Sequence, residues 1–174
     1  YIHQIPSAIE MIEYLHDLGY ETTCNIMAIS QANSTQVEEA LRMLCETSVD
    51  VIYLVDSYGS LYPENAADLA RTYLSFAEKA GKTVGFHGHN NQNLAFANTI
   101  ETMSYGVSYL DATAMGMGRG AGNCAMELLL GFLKNPKYSL YHLLLFIENY
   151  MIPLKQSGVV WGYDLQYLFT GQLN

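Results

Sequence analysis

The segment Gly85-Phe86-His87-Gly88-His89-Asn90-Asn91 follows a short apolar run and precedes a helical pattern. Successive side chains of a β-strand point to opposite faces, so His87 and His89 are predicted to point the same way. Neutral imidazole is a common ligand of transition metals, and two convergent imidazoles need only oxygen donors to complete the shell. The segment therefore predicts either a metal site or two hydrogen-bonded histidines at the end of a strand.

Strand and helix patterns alternate on both sides of this segment at intervals of about 25 to 35 residues, as in βαβ units with parallel strands. The capping-box pattern Thr35-Gln36-Val37-Glu38 predicts the start of one helix, and Pro63 and Gly81 bound another. Four or five strands are too few for an eight-stranded barrel, so the pattern predicts an open sheet or part of a barrel. The predicted strands are 20–29, 51–55, 83–87, 107–114 and 159–161. Further predicted helices are 5–18, 126–133, 140–151 and 163–169, with Asn135-Pro136 separating two of them.

The composition is that of one globular domain, with 174 residues, 50% hydrophobic and 14% charged. The net charge is −9, and Lys and Arg form no stripe, so nucleic acid is not an expected partner. No apolar run is long enough to cross a bilayer, and we expect a cytoplasmic protein with no membrane contact. Cys24, Cys45 and Cys124 form no Cys-x-x-Cys pair and are expected to be reduced.

Polar residues follow the predicted strands in a regular way. In parallel α/β folds the carboxyl ends of the strands lie at one edge of the sheet. These side chains are therefore predicted to line one site at that edge. Asp56 in this set either serves the site or braces a turn. The set comprises Asn25, Asp56, His87, His89 and Asn123.

The loop Gly116-Met117-Gly118-Arg119-Gly120-Ala121-Gly122-Asn123 partly matches a dinucleotide-binding turn, but no acidic residue follows about twenty residues later. The glycines fit better a backbone that passes close under a small ligand, or simply a tight turn. Asn123 would offer a carbonyl oxygen there. Arg119 either pairs with a substrate carboxylate or lies solvated on the surface.

Several of these motifs together resemble the metal-dependent pyruvate aldolases related to 4-hydroxy-2-oxovalerate aldolase, a group that includes isopropylmalate synthases and hydroxymethylglutaryl-CoA lyases. The likeness runs in the same order over nearly the whole chain. The lyase branch has a cysteine in its glycine loop that is absent here. The matching motifs are Val55-Asp56-Ser57-x-Gly59, the 85–91 segment, Asp111-Ala112, the glycine loop and Gly162-Tyr163-x-x-x-Tyr167-x-x-x-Gly171.

This resemblance implies a (β/α)8 TIM barrel in which His87 and His89 bind a divalent metal, commonly Mn²⁺ or Mg²⁺, with Asn123 beside it. Tyr167 matches the tyrosine that assists proton transfer. The implied reaction is retro-aldol cleavage of a 4-hydroxy-2-oxo acid to pyruvate and an aldehyde, with the metal acting as Lewis acid. Substrate-binding roles are predicted for Arg119, Asn25 and Asp56. The alternatives are a Claisen-type synthase that joins an acyl-CoA to a 2-oxo acid, and a catalytically inactive partner module.

The family's first strand carries an Arg-Asp-Gly motif, which includes a metal-binding aspartate, and this motif is absent from the chain. We therefore expect residues 1–174 to be a partial barrel domain, about its second half, truncated at the N-terminus and at the C-terminus and inactive alone. Half a barrel leaves strand edges and apolar surface uncovered, which predicts a homo-oligomer or pairing with the missing half. An aldehyde dehydrogenase is a further expected partner, because it would consume the aldehyde.

Overall fold

The computed structural model describes residues 1–134 and 137–172. Four parallel strands form one sheet in the order β1-β2-β3-β4, and a helix precedes or connects each of them. This confirms the predicted α/β class. The elements are β1 (Thr23–Ile26), β2 (Val51–Asp56), β3 (Thr83–Gly88), β4 (Tyr109–Leu110), α1 (Ile5–Asp17), α2 (Ser34–Cys45), α3 (Pro63–Ala77) and α4 (Ala95–Ser104).

The strand order is the one expected of a segment of a barrel. Each crossover moves one strand further in the same direction, whereas a doubly wound sheet reverses its order at a switch point. One face of the sheet, including Ile26, Leu54 and Phe86, packs into the main core with the helices. Tyr53 and its β2 neighbours on the opposite face form a separate cluster, so β2 is buried at every residue as its apolar run predicts.

The C-terminal third of the described chain is helical. The predicted Asn135-Pro136 junction lies outside the described residues. A π-helical turn over Ile147–Met151 joins α6 to α7, so this helical segment extends beyond the predicted residue 151. The helices are α5 (Met126–Phe132), α6 (Leu140–Phe146), α7 (Ile152–Gln156) and α8 (Leu165–Gln172).

Two strands are shorter than predicted. The strand β1 stops at Ile26 because Ala28 adopts a left-handed conformation, with φ of 55°, and donates its N–H to the Ser57 hydroxyl. The strand β4 has only two residues, because the chain then leaves β3 and Thr113 pairs with Ala125 instead. Tertiary pairing, which local patterns do not contain, set both ends.

Two local predictions were wrong. The capping box of α2 is formed by Asn33 and Gln36, whose side chains each accept the other's backbone N–H at 3.0 Å, and not by 35–38. Residues 159–161 form no strand; Trp161 is buried and its indole N–H donates to the Met115 carbonyl at 3.0 Å. Among the described residues no helix is long and apolar enough to span a membrane.

Candidate active site

The rings of His87 and His89 lie together at the carboxyl end of β3, as the strand period predicts. Their centroids are 5.1 Å apart and their planes are inclined by 73°. His87 Nδ1 lies 2.9 Å from a carboxylate oxygen of Asp111. Since Nδ1 is engaged in this way, Nε2 is the His87 nitrogen left for a ligand.

His89 is held in its neutral form. Burial, followed by the nearby charges of His87 and Arg119, lowers its pKa to about 4. A neutral imidazole has a free lone pair on one nitrogen at physiological pH, which is the state that binds a metal or accepts a proton. The environment of His89 therefore suits either role.

The glycine loop brings Asn123 to the histidines through backbone pairing. His89 and Asn123 form an antiparallel bridge, and the Asn90 N–H donates to the Gly122 carbonyl at 2.8 Å. The Asn123 amide nitrogen donates to the Met117 carbonyl, while its Oδ1 atom is buried without a hydrogen-bond partner. Because burying an unpartnered oxygen is costly, Asn123 Oδ1 is a candidate ligand for an external group.

Close packing explains the glycines of this loop. A Cβ at Gly118 would lie 2.6 Å from the Asn123 side chain, and one at Gly122 would lie 2.0 Å from the Gly116 carbonyl oxygen. Gly122 also has a φ of +87°. The loop is a tight turn, and its close packing also fixes the position of Asn123. The two interpretations of the glycines, a tight turn and a backbone that passes close under a ligand, are therefore compatible.

A pocket of about 270 Å³ opens beside His89. Arg119 enters it with one guanidinium nitrogen 3.1 Å from the Ser57 carbonyl oxygen. Tyr167, from α8, closes another side, and a Cβ at Gly120 would lie only 2.9 Å from its ring. The sequence missed the lining residues Ser57, Tyr58 and Asn91. The Ser57 hydroxyl accepts the Ala28 N–H, and the Asn91 side chain donates to the Tyr58 carbonyl at 2.8 Å.

Asn25 and Asp56 do not line this pocket. Asn25 is exposed on β1, where it borders a depression formed with α1. Asp56 is buried, and its two oxygens accept the backbone N–H groups of Ser60 and Leu61 at 3.0 and 3.1 Å. Burial raises its pKa despite these bonds. Asp56 thus braces the turn after β2, the alternative that the sequence left open, and its substrate-binding role stays a prediction.

Asp111 was not predicted as a site residue. The signal was its place directly after β4, in register with β3, so that its carboxylate reaches His87. Metal-binding histidines commonly donate their second ring nitrogen to a carboxylate in this way.

The donor set fits a divalent ion incompletely. Within 1–134 and 137–172, no three His, Cys, Asp or Glu side chains converge as a metal site. Two imidazole nitrogens and the orphaned oxygen of Asn123 are the available ligands, a mixed N/O set that suits a first-row divalent metal. Further oxygen ligands would have to come from substrate, water or other polypeptide.

Comparison with known proteins gives the class. A family model described as HMGL-like matches residues 3–144, and the chain belongs to this family. The solved N-terminal domain of a provisionally named aldolase from Bacteroides vulgatus superposes with a TM-score of 0.83 at 29% identity, over 99% of this chain and 57% of that one. The HMG-CoA lyase of Bacillus subtilis, 18% identical, shares the fold with a TM-score of 0.71 over 90% of this chain and 55% of that one.

Two curated relatives are carbon–carbon lyases by name. Oxaloacetate decarboxylase of Mycobacterium tuberculosis is 44% identical over 124 residues, which cover 71% of this chain and 36% of that protein. The 4-hydroxy-2-oxovalerate aldolase of Thermus thermophilus is 33% identical over 142 residues, or 79% of this chain and 40% of that protein. The chain therefore spans less than half the length of these relatives.

Proposed function

We propose that the complete protein is a divalent-metal-dependent carbon–carbon lyase that cleaves a 4-hydroxy-2-oxo acid to pyruvate and an aldehyde. One observation carries the proposal: His89 joins an imidazole pair and the unpartnered Asn123 oxygen to a pocket that also contains Arg119 and Tyr167. The pocket and the adjoining His87 and Asn123 together offer nitrogen and oxygen ligands, a cation for a carboxylate and a hydroxyl for proton transfer.

Each side chain has a role that follows from its position. Arg119, steadied by the Ser57 carbonyl, retains guanidinium N–H groups for a substrate carboxylate. His87 Nε2, His89 and Asn123 Oδ1 would hold the ion. Tyr167, fixed against Gly120, carries a hydroxyl that can donate or accept the proton moved during cleavage.

The bond that breaks lies β to the 2-oxo group, so its electron pair is delocalised onto the oxo oxygen as the aldehyde departs. When bound, a divalent ion supplies Lewis-acid stabilisation of that developing negative charge. Neutral His89 and cationic Arg119 place no negative charge near the developing oxyanion, so they do not repel it.

Oxaloacetate decarboxylation is the second candidate, favoured by the 44% identical relative of that name. It breaks the corresponding bond of a 2-oxo acid and releases CO₂ in place of an aldehyde. The same carboxylate-binding and metal-binding groups would serve both reactions. The two reactions differ in the product released, which is CO₂ in one and an aldehyde in the other.

The test uses the product of the complete gene. Exchange of the pyruvate methyl protons is followed by NMR in deuterated water with Mn²⁺ and then with a chelator. We expect metal-dependent exchange that His87→Ala and His89→Ala each abolish. His16→Ala, an exposed histidine at the end of α1, is the matched control and keeps wild-type exchange.

Turnover of three substrates then separates the reactions. Aldehyde release from a 4-hydroxy-2-oxo acid supports the aldolase, and CO₂ release from oxaloacetate alone replaces it with the decarboxylase. Consumption of acetyl-CoA with a 2-oxo acid would replace both with a synthase. A folded, Mn²⁺-loaded protein without pyruvate exchange or turnover contradicts the proposal and favours an inactive module.

A further inference from the structure

Tyr53, His87 and Asp111 lie on the face of the sheet opposite the main core. In the strand register, Tyr53 of β2 is opposite Gly85 of β3, and Gly85 is opposite Tyr109 of β4. His87 and Asp111 each lie two residues further along, where side chains point to the same face. Tyr53, His87 and Asp111 therefore occupy one face of three successive strands.

Gly85 makes the contact between the outer two residues possible. Neighbouring strands are about 4.8 Å apart, so β2 and β4 are separated by about 10 Å across β3. The ring of Tyr53 lies over Gly85, where a Cβ would be only 2.5 Å from three ring atoms. Only the absence of a side chain lets this ring lie across β3 and bring its hydroxyl toward Asp111.

The Asp111 carboxylate serves both neighbours. One of its oxygens lies 2.9 Å from His87 Nδ1. The Tyr53 hydroxyl is also close to Asp111, and burial, followed by the charge of that carboxylate and hydrogen bonding to it, raises the pKa of Tyr53. A phenol that keeps its proton can only donate to the carboxylate, which leaves Asp111 to accept from His87 as well.

We propose that Asp111 and Tyr53 are positioning residues that hold His87 in the tautomer with the proton on Nδ1, so that Nε2 faces the metal ion. This inference rests on the proposed metal site. The hydroxyl of Tyr53 orients the carboxylate, the carboxylate orients the imidazole, and Gly85 provides the space for the chain of hydrogen bonds.

The key variant is Asp111→Asn. An asparagine that accepts the Tyr53 hydroxyl through its oxygen turns its NH₂ group toward His87 Nδ1, which then must accept and lose its proton. The ring proton moves to Nε2 and blocks the nitrogen needed for the ion. A merely structural role would not reverse the tautomer.

Two measurements on the product of the complete gene test the proposal. The ¹⁵N spectrum of the histidine rings in metal-free protein, above the ordinary imidazole pKa, reports the His87 tautomer, with His87→Gln giving its assignment. Mn²⁺ titration followed by electron paramagnetic resonance reports affinity. We expect Asp111→Asn to shift the proton to Nε2 and to weaken Mn²⁺ binding by about 10- to 100-fold.

Further variants keep the test decisive if Asp111→Asn does not fold. Tyr53→Phe removes only the hydroxyl, and Gly85→Ala displaces the ring without changing any polar side chain; both should weaken Mn²⁺ binding. Tyr14→Phe, an exposed tyrosine on α1, is the control and should change neither readout.

The two ideas fail in different ways. Unchanged tautomer and unchanged Mn²⁺ affinity in folded Asp111→Asn, Tyr53→Phe and Gly85→Ala would overturn the positioning role. Wild-type protein that binds no Mn²⁺ would overturn the proposed metal site, whereas its ¹⁵N spectrum would still show whether Asp111 sets the tautomer.

Discussion

The aromatic ring of Tyr167 lies against the α-carbon of Gly120, so closely that a Cβ there would be 2.9 Å from the ring. Gly120 has a φ of +63°, and its carbonyl accepts the Gly162 N–H at 3.1 Å. The loop that carries Arg119 thus packs against Tyr167 of α8 and is hydrogen-bonded to the segment that leads into that helix.

Tyr167→Phe tests the hydroxyl without disturbing this packing. The ring should remain against Gly120, so we expect unchanged stability and Mn²⁺ affinity but slower carbon–carbon cleavage, by about 10²-fold or more if the hydroxyl moves the proton. Steady-state kinetics give the rate, and thermal unfolding gives the stability. Wild-type turnover in this variant would remove Tyr167 from the proton path. Tyr163→Phe, an exposed tyrosine nearby, is the control.

Gly122→Ala should be far more destabilising than Gly158→Ala. Both glycines have positive φ, +87° and +103°, but a Cβ at Gly122 meets the Gly116 oxygen at 2.0 Å and one at Gly158 meets nothing within 4 Å. We expect about 1–2 kcal/mol for Gly158→Ala from backbone strain alone. Gly122→Ala should lose on the order of 3 kcal/mol or more. Urea unfolding measures both, and equal losses would mean that the loop relaxes freely.

Asp56→Asn should destabilise the turn after β2. Asparagine keeps one acceptor oxygen, and its NH₂ group would face the N–H of Ser60 or Leu61, which leaves that buried donor unpaired. We expect a loss of about 1–3 kcal/mol in the free energy of unfolding. Asp50→Asn is the matched control, since a single oxygen of Asp50 receives the Thr22 N–H. The same loss in both variants would contradict the two-oxygen brace.

The lowered pKa of His89 predicts how acid affects the metal-free protein. The folded pKa is about 4, and an unfolded histidine titrates near about 6.5, so between these values the unfolded chain binds the proton and the folded chain does not. The contribution of His89 to stability is present above about pH 6.5 and is lost as the pH falls toward about 4.

Unfolding free energies at several pH values, compared between wild type and His89→Gln, isolate this contribution. We expect the wild type to lose more stability than the variant across that window, and the two to run parallel above it. Parallel curves throughout would show that His89 titrates normally.

Local rules predicted much of the fold because the relevant signals are local. The apolar run 51–55 needed burial on both faces, and β2 has it; Gly81 was expected to end a helix and has a φ of +68°. The end of β4 depended on the distant pairing of Thr113 with Ala125, and Trp161 is held by its hydrogen bond to the distant Met115 carbonyl. No periodicity contains those facts.

In the candidate site, too, local patterns predicted some residues and distant contacts determined others. The strand period placed His87 beside His89, and strand ends placed Asn123 near them. Asp111 escaped prediction because its partner lies 24 residues away on another strand, and Asp56 was ambiguous because a buried turn and a ligand require the same residue type.

The sequential strand order also shapes how the chain can fold. Each strand pairs with the one that precedes it along the chain, so every new β/α unit finds its docking surface already made by the unit before it. Closing such short loops costs little entropy, and folding is correspondingly fast where contacts are local. During synthesis β2 can dock on β1, and β3 on β2, as each emerges, so that the imidazole pair and its carboxylate are assembled late, when β4 arrives beside β3.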